Sequence, residues 1–345
     1  MSYFVVVPGA LVPAALAPAV AAQLRASALA ARLQRGRSAT LRPADGAGAP
    51  HLAWLWSRFG GSGTPVTAPY AWRALAPATE LPGARALWHA DPVHFAFARD
   101  HLLVTALSDA PPTREESETL LAEAAAAAVE CGAALHALDA SHWFMSFDPP
   151  WSLAAVPLAG ALGRSVQDLL PTGDDAPRWR RLLNEIQMRW HALPLNERRE
   201  AEGRPTINGL WLHGGGTWQP LASRPFAALA TADPVLRGWA LASGVAPAAL
   251  AGEDEMPAPA GDVLALCPQL AAAYGAWDWE TWRVEFERLS DALEARCERA
   301  FVRGFDRVTL VLAGRETLCI VELGASDRLR FWRRGPLAEL LAEQE

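Results

Sequence analysis

The chain has 345 residues, 51% of them hydrophobic and 20% charged, with a formal net charge of −7. That much apolar material supplies a core and excludes a disordered chain, and the length suits about two domains. All 31 basic residues are arginine. They form no stretch of the size needed to track a phosphate backbone, so nucleic acid is not an expected partner.

The first 24 residues are nearly all apolar, and Ala19-Val20-Ala21 imitates a signal-peptidase site. No positive charge precedes the run, however, and Pro8, Pro13 and Pro18 punctuate it. The pattern predicts a buried strand from Tyr3 to Val7, a turn at Pro8-Gly9 and a helix to about Leu33. No later stretch reaches the roughly 18 uninterrupted apolar residues of a membrane span, so a soluble protein without membrane contact is expected. Cys131, Cys267, Cys297 and Cys319 stand far apart, with no CxxC and no histidine at zinc-site spacing. They read as core thiols of a reducing cytoplasm, and neither a metal nor a cofactor is expected.

Arg35 to Leu87 reads as loop-rich, with one short helix around His51 to Phe59. Gly60-Gly61-Ser62-Gly63-Thr64-Pro65 departs from the phosphate-cradling GxxxxGK[ST] pattern, and Ser62 lacks the strand-to-helix elbow of a nucleophile; the segment is expected to be a turn. Strands are expected at Val93 to Phe97 and His101 to Ala106, joined through Ala98-Arg99-Asp100. Thr113, with Glu116 three residues on, opens a capped helix to about Glu130. Two strands follow, Ala134 to Leu138 and Trp143 to Phe147.

A helix from about Arg178 to Leu193 carries Trp179, Leu182, Leu183, Ile186 and Trp190 as an apolar stripe. Asn184, Gln187 and His191 form a polar stripe on its other side. Pro194 is expected to end it, with a charged connection from Asn196 to Arg204. Ile207 to His213 reads as a strand running into Gly214-Gly215-Gly216, where backbone can approach another group closely. Ala246 to Gly261 reads as a surface loop. A helix through Trp277, Trp279 and Trp282 to about Phe301 precedes strands at Val308 to Ala313 and Thr317 to Leu323. The three tryptophans read as a packing face or as a surface for a protein partner or self-association.

Several segments together carry a resemblance. They are Asn184-Glu185-Ile186-Gln187-Met188 with His191, Pro194-Leu195-Asn196-Glu197-Arg198-Arg199-Glu200, and Ile207-Asn208-Gly209-Leu210-Trp211-Leu212-His213-Gly214-Gly215-Gly216. Trp88-His89-Ala90-Asp91-Pro92-Val93-His94, the turn from Pro157 to Gly163, Leu170-Pro171-Thr172-Gly173-Asp174-Asp175 and Phe331-Trp332-Arg333-Arg334 add to them. This composite resembles proteobacterial proteins of the RpfE-type regulatory, cofactor-independent phosphoglycerate mutase-like family, and more distantly the alkaline phosphatase superfamily. The resemblance implies an α/β fold: a degenerate alkaline phosphatase-like, doubly wound sheet with an inserted α+β domain. Residues 1–87 and 206–345 would be the two halves of the core and 88–205 the insert.

Phosphoryl transfer in that superfamily needs two divalent metals held by Asp and His. The resemblance places the first ligand, an Asp followed by Gly, at the end of the opening strand, where this chain has Val7-Pro8-Gly9. It places further histidine ligands in the C-terminal half, whereas the last histidine here is His213. The expectation is therefore a non-catalytic regulatory or small-anion-binding protein that has lost its metal centre; the alternative is an active mutase-like phosphotransferase. Ligand-binding candidates are Asp91, His94, Asn184, Gln187, His191, Asn196, Arg199 and Asn208, with Gly214, Gly215 and Gly216 as a glycine-rich loop. Arg199 could present its guanidinium to a phosphorylated or carboxylate ligand. Equally, the group could be a buried hydrogen-bond network that fixes a junction.

Overall fold

The computed structural model describes residues 1–24, 28–44, 46, 48–82, 86–98, 101–329 and 336–344. It is a mixed α/β fold in two compact units, Met1–Pro65 with Pro220–Glu345, and Val66–Gln219. Arg99, Asp100 and the segment Phe331-Trp332-Arg333-Arg334 lie outside the described residues. Among the described residues no helix is long and apolar enough to cross a membrane.

The first unit is built on a seven-stranded sheet drawn from both ends of the chain. Its strand order is Leu250–Ala251, Ala228–Ala230, Val263–Leu266, Ser2–Pro8, Arg307–Ala313, Leu318–Gly324 and Arg37–Leu41. The first five strands run parallel and the last two joins are antiparallel. Ser2–Pro8 lies in the middle, and its continuous burial explains its unbroken apolar sequence. Helices Ala17–Leu24, Ala28–Arg35 and Trp279–Val302 contribute to the same apolar core.

The expected helix through the three tryptophans is interrupted. Trp277 adopts φ 58, a left-handed conformation, between helices Ala271–Gly275 and Trp279–Val302. Trp282 is buried, while Trp277 remains 44% exposed with the Arg315 guanidinium 4.5 Å from its ring centre. Trp279 contacts the rings of Tyr274, Trp277 and Trp282 edge-on. Arg37–Leu41, every residue of it exposed, is a strand that the sequence did not announce, since nothing in it is patterned for burial.

The second unit has a five-stranded sheet of its own. Leu87–Ala98 pairs antiparallel with His101–Thr105, Trp143–Phe147 and Gly209–Gly216, and Trp143–Phe147 pairs with Ala133–Ala137. The long strand begins six residues before the expected Val93, because pairing with Gly209–Gly216 extends it, with Asp91 opposite Trp211 and Pro92 opposite Leu210. Helix Arg114–Glu130 carries the expected capping box of Thr113 and Glu116. With Ala176–His191 it covers a core rich in tryptophan: Trp143, Trp179, Trp190 and Trp211.

Pro194 starts a helix, Pro194–Ala201, where a connection was expected; proline at the first helical position has no amide to lose. Ala68–Leu75 is likewise a helix within the stretch read as loop. It packs against Leu87–Ala98 and Gly209–Gly216, and those two strands pair along 87–93. These contacts put the borders of the unit at Val66 and Gln219, outside the 88 and 205 read from sequence.

The four cysteines are free; Cys267, Cys297 and Cys319 are buried and Cys131 is half-buried. Burial pushes the Cys267 and Cys319 thiols up to about 11 and Cys297 to about 12, so all three remain protonated and unreactive.

Candidate functional site

In parallel sheets ligands collect beyond the carboxyl ends of the strands. Here the central strand ends at Pro8, whose ring nitrogen carries no proton and whose side chain offers no ligand atom. The next residue, Gly9, adopts φ +76, and a Cβ there would lie 2.9 Å from Tyr274 Cβ. Trp282 Nε1 donates to the Gly9 carbonyl at 2.7 Å. Past the end of Arg307–Ala313, the amides of Arg315 and Glu316 donate to Glu343 Oε1 at 2.5 and 2.7 Å. Tyr274 Oη donates to Glu343 Oε2 at 2.9 Å. A carboxylate of the chain itself thus occupies two amides that could have received an external anion.

In the second unit, four of the polar residues singled out from sequence act as ties between segments. Arg199 is fully buried: its guanidinium donates to Glu116 Oε2 at 2.9 Å, Ala110 O at 2.5 Å and Pro205 O at 2.8 Å. Glu116 is the acid of the capping box, so one carboxylate holds both a helix start and the arginine. Burial opposes the Glu116 charge. Its hydrogen bond to the Thr113 amide and the charges of Arg199 and Arg204 outweigh that effect and hold the carboxyl below its ordinary value.

Asn196 donates to Trp190 O and Ile207 O and accepts from Ile207 N at 2.8 Å. Asn208 does the same for Phe95, accepting from its amide at 2.7 Å and donating to its carbonyl at 3.1 Å. Each side-chain amide imitates a peptide group and so satisfies backbone that no strand reaches. His94 Nδ1 donates to Thr206 O at 2.8 Å. Asn184 and His191 are exposed and Gln187 is half-buried on the outer side of Ala176–His191, away from these ties. The geometry of Asn196, Arg199 and Asn208 is that of the hydrogen-bond network, the second of the two sequence readings.

A different cluster forms around Asp91. Residues 89 and 91 lie two apart on one strand and therefore share a face, whereas His94 falls on the opposite one. His89 stands directly across from His213 in the ladder. Their rings stack with centroids 4.7 Å apart and planes 17° from parallel. His213 Nε2 donates to Asp91 Oδ2 at 2.8 Å. The ligand atoms of His89, Asp91 and His213 all lie within 4.8 Å of one another.

His89 is buried, packed on Phe144 with ring centres 5.2 Å apart, and its Nε2 has no hydrogen-bond partner. Burial, with the like charge of His213 adding to it, pushes its pKa down to about 3, so the ring is neutral at neutral pH. Burial works against ionisation of Asp91. The His213 imidazole beside it outweighs that by charge and hydrogen bond, leaving the carboxyl below its ordinary value.

Of the three consecutive glycines, Gly214 lies against this cluster, while Gly215 and Gly216 lie against Trp88 and Val66. A Cβ at Gly214, which adopts φ +62, would lie 1.8 Å from Thr67 Oγ1 and 3.1 Å from His89 Cδ2; one at Gly215 would lie 2.1 Å from Trp88 Cδ2. They belong to the strand Gly209–Gly216 rather than to a loop beyond it. Of the three cluster residues, only Asp91 is among the ligand candidates from sequence; His89 and His213 stand there only within the motif segments. The available signal was the alternation His89-Ala90-Asp91 on a strand; the partner 122 residues from Asp91 becomes visible only through the strand pairing.

No family model matches the sequence, and no curated protein matches it. Among solved structures, the chain is similar to the PH0037 protein from Pyrococcus horikoshii, at 14% identity over 98% of this chain and 91% of that one, with a TM-score of 0.49. It is also similar to a cofactor-independent phosphoglycerate mutase from Thermoplasma acidophilum DSM 1728, at 12% identity over 99% of this chain and 97% of that one, with a TM-score of 0.43.

Proposed function

We propose that this is a non-catalytic regulatory or small-anion-binding protein built on a phosphoglycerate mutase-like scaffold whose sheet-edge metal centre has been lost. The observation that carries the reading is the closure beyond Pro8, where Tyr274, Trp282 and Glu343 fill the space beside Gly9 and the 315–316 amides. Two-metal phosphoryl transfer needs anionic and imidazole donors converging at one place. The chain offers proline and aliphatic side chains at the end of its central strand instead. The motif resemblance to the RpfE-type, mutase-like family supports the scaffold assignment. The ligand class it suggests is a phosphorylated or carboxylate-bearing small molecule.

The test is a coupled assay for interconversion of 2- and 3-phosphoglycerate by the full chain, with Mn²⁺ or Zn²⁺ supplied. Turnover indistinguishable from the buffer blank is expected. Enzyme-dependent turnover would establish the alternative, an active mutase-like phosphotransferase; metal uptake without turnover would not. A thermal-shift screen with phosphorylated three-carbon acids addresses the binding half: a ligand at about 100 times its Kd raises stability by roughly 2.7 kcal/mol. Absence of a shift across the whole series would remove small-anion binding from the reading.

A further inference from the structure

We propose that His89, Asp91 and His213 form a binding site for a divalent first-row transition ion of the zinc type, held by two imidazoles and one carboxylate across paired strands. The site lies wholly within the Val66–Gln219 unit and stands whether or not the other unit is catalytic.

The donor set is the first argument. Imidazole selects borderline ions such as Zn²⁺, Co²⁺ and Ni²⁺ over Mg²⁺ and Ca²⁺, and a carboxylate completes the charge. Three protein ligands leave one position open for water, the composition of reactive rather than purely structural zinc sites. Asp91 and His213 retain 24% and 14% side-chain exposure, so that position has access to solvent.

The unmet need of His89 is the second. A buried ring nitrogen without a partner costs stability in a folded protein, which a bound ion would recover. Among the described residues of this unit, the other unpartnered buried side-chain atoms are the indole nitrogens of Trp72, Trp88, Trp151 and Trp179, which can only donate; His89 Nε2 alone of the five can ligate an ion.

The third argument is positioning. His89 and His213 face each other in register, and the ladder fixes both backbones. Phe144 covers the His89 ring, and Gly214 allows the chain to pass close against it. Tetrahedral zinc with bonds of about 2.0–2.2 Å separates its donors by about 3.3 Å. The present separations are at most 4.8 Å, so the donors would have to draw together by up to about 1.5 Å on binding. The ion would replace the proton that His213 now shares with Asp91 at 2.8 Å.

The experiment uses the full chain stripped with a chelator and titrated with Zn²⁺ by calorimetry and with Co²⁺ by visible absorption. One ion per chain is expected, with Co²⁺ bands of the intensity of a four- or five-coordinate nitrogen–oxygen site. Asp91→Asn and His213→Gln are each expected to weaken Zn²⁺ at least about tenfold. His101→Ala, on an exposed position of a neighbouring strand, should leave affinity unchanged. If both site variants fail to fold, X-ray absorption of the Zn²⁺-loaded wild type decides: a shell with two imidazoles supports the site, and one without imidazole overturns it. No stoichiometric uptake by the wild type, or wild-type affinity in both folded site variants, also overturns it. None of these readouts depends on mutase activity, so this proposal and the preceding one fail separately.

Discussion

At the scale of single residues, Arg199 shows how a side chain suited to ligand recognition can be spent entirely within the protein. All three of its nitrogens are engaged, and none of its surface is exposed. Removing it leaves the Ala110 and Pro205 carbonyls without their donor in a water-poor setting, and Glu116 with only the Thr113 amide and Arg204. Arg199→Ala is therefore expected to lose about 3–5 kcal/mol, measured by urea unfolding. Arg199→Lys should recover only part of that, because a single ammonium cannot reach three directions at once. A loss under about 1 kcal/mol would show that the ties are dispensable.

Glu116 supplies a pH dependence with a defined sign. Its carboxyl lies below its ordinary value of 4.5 in the folded chain. The stability it adds is fully present above the unfolded value and is lost as pH falls through the folded one. Unfolding free energy should therefore decline below about pH 4.5, by at most about 1.4 kcal/mol per pH unit for this one proton. Glu116→Gln should lower the neutral plateau and flatten that part of the acid limb. An acid limb of unchanged slope in the variant would assign it to other carboxylates.

At the scale of elements, the strand Gly209–Gly216 joins the fold to the candidate site. Its first half is fully buried and pairs in register, and its second half carries a register shift against 87–89, where Gly214 adopts φ +62. Gly214→Ala faces two separable costs, the left-handed backbone and a contact of 1.8 Å with Thr67 Oγ1. The single variant should lose about 2 kcal/mol or more. Adding Thr67→Ala should return the steric part and leave about 1–2 kcal/mol for the backbone. A double-mutant cycle with no coupling between the two positions would refute this division.

At the scale of the whole molecule, the two units have separate apolar cores. One runs from Tyr3 through Leu341 and skips the middle of the chain; the other is confined to 88–212. A segment with its own sheet and its own core satisfies the usual conditions for autonomous folding. Residues 66–219 expressed alone are expected to unfold in one cooperative transition, with the near-ultraviolet circular dichroism of immobilised tryptophans. A broad transition without that signal would mean that the unit depends on the rest of the chain.

Much of this could be read from the residues. The unbroken apolar run of Ser2–Pro8, the capping box at Thr113 and Glu116 and the stripe from Trp179 to Trp190 each follow from local rules. Periodicity and capping act over a few residues, and those residues are adjacent in sequence. Short strands such as Ala228–Ala230 and the exposed Arg37–Leu41 carry no such signal, because their neighbours hold them in place. The proline that ends the central strand was equally plain from sequence, but not the carboxylate of Glu343 folded back beside it. Nor could the sequence decide whether Arg199 faces a ligand or Glu116, or that His89 meets His213. Those outcomes depend on strand register and long-range pairing, which bring together atoms that chain order keeps more than 80 residues apart.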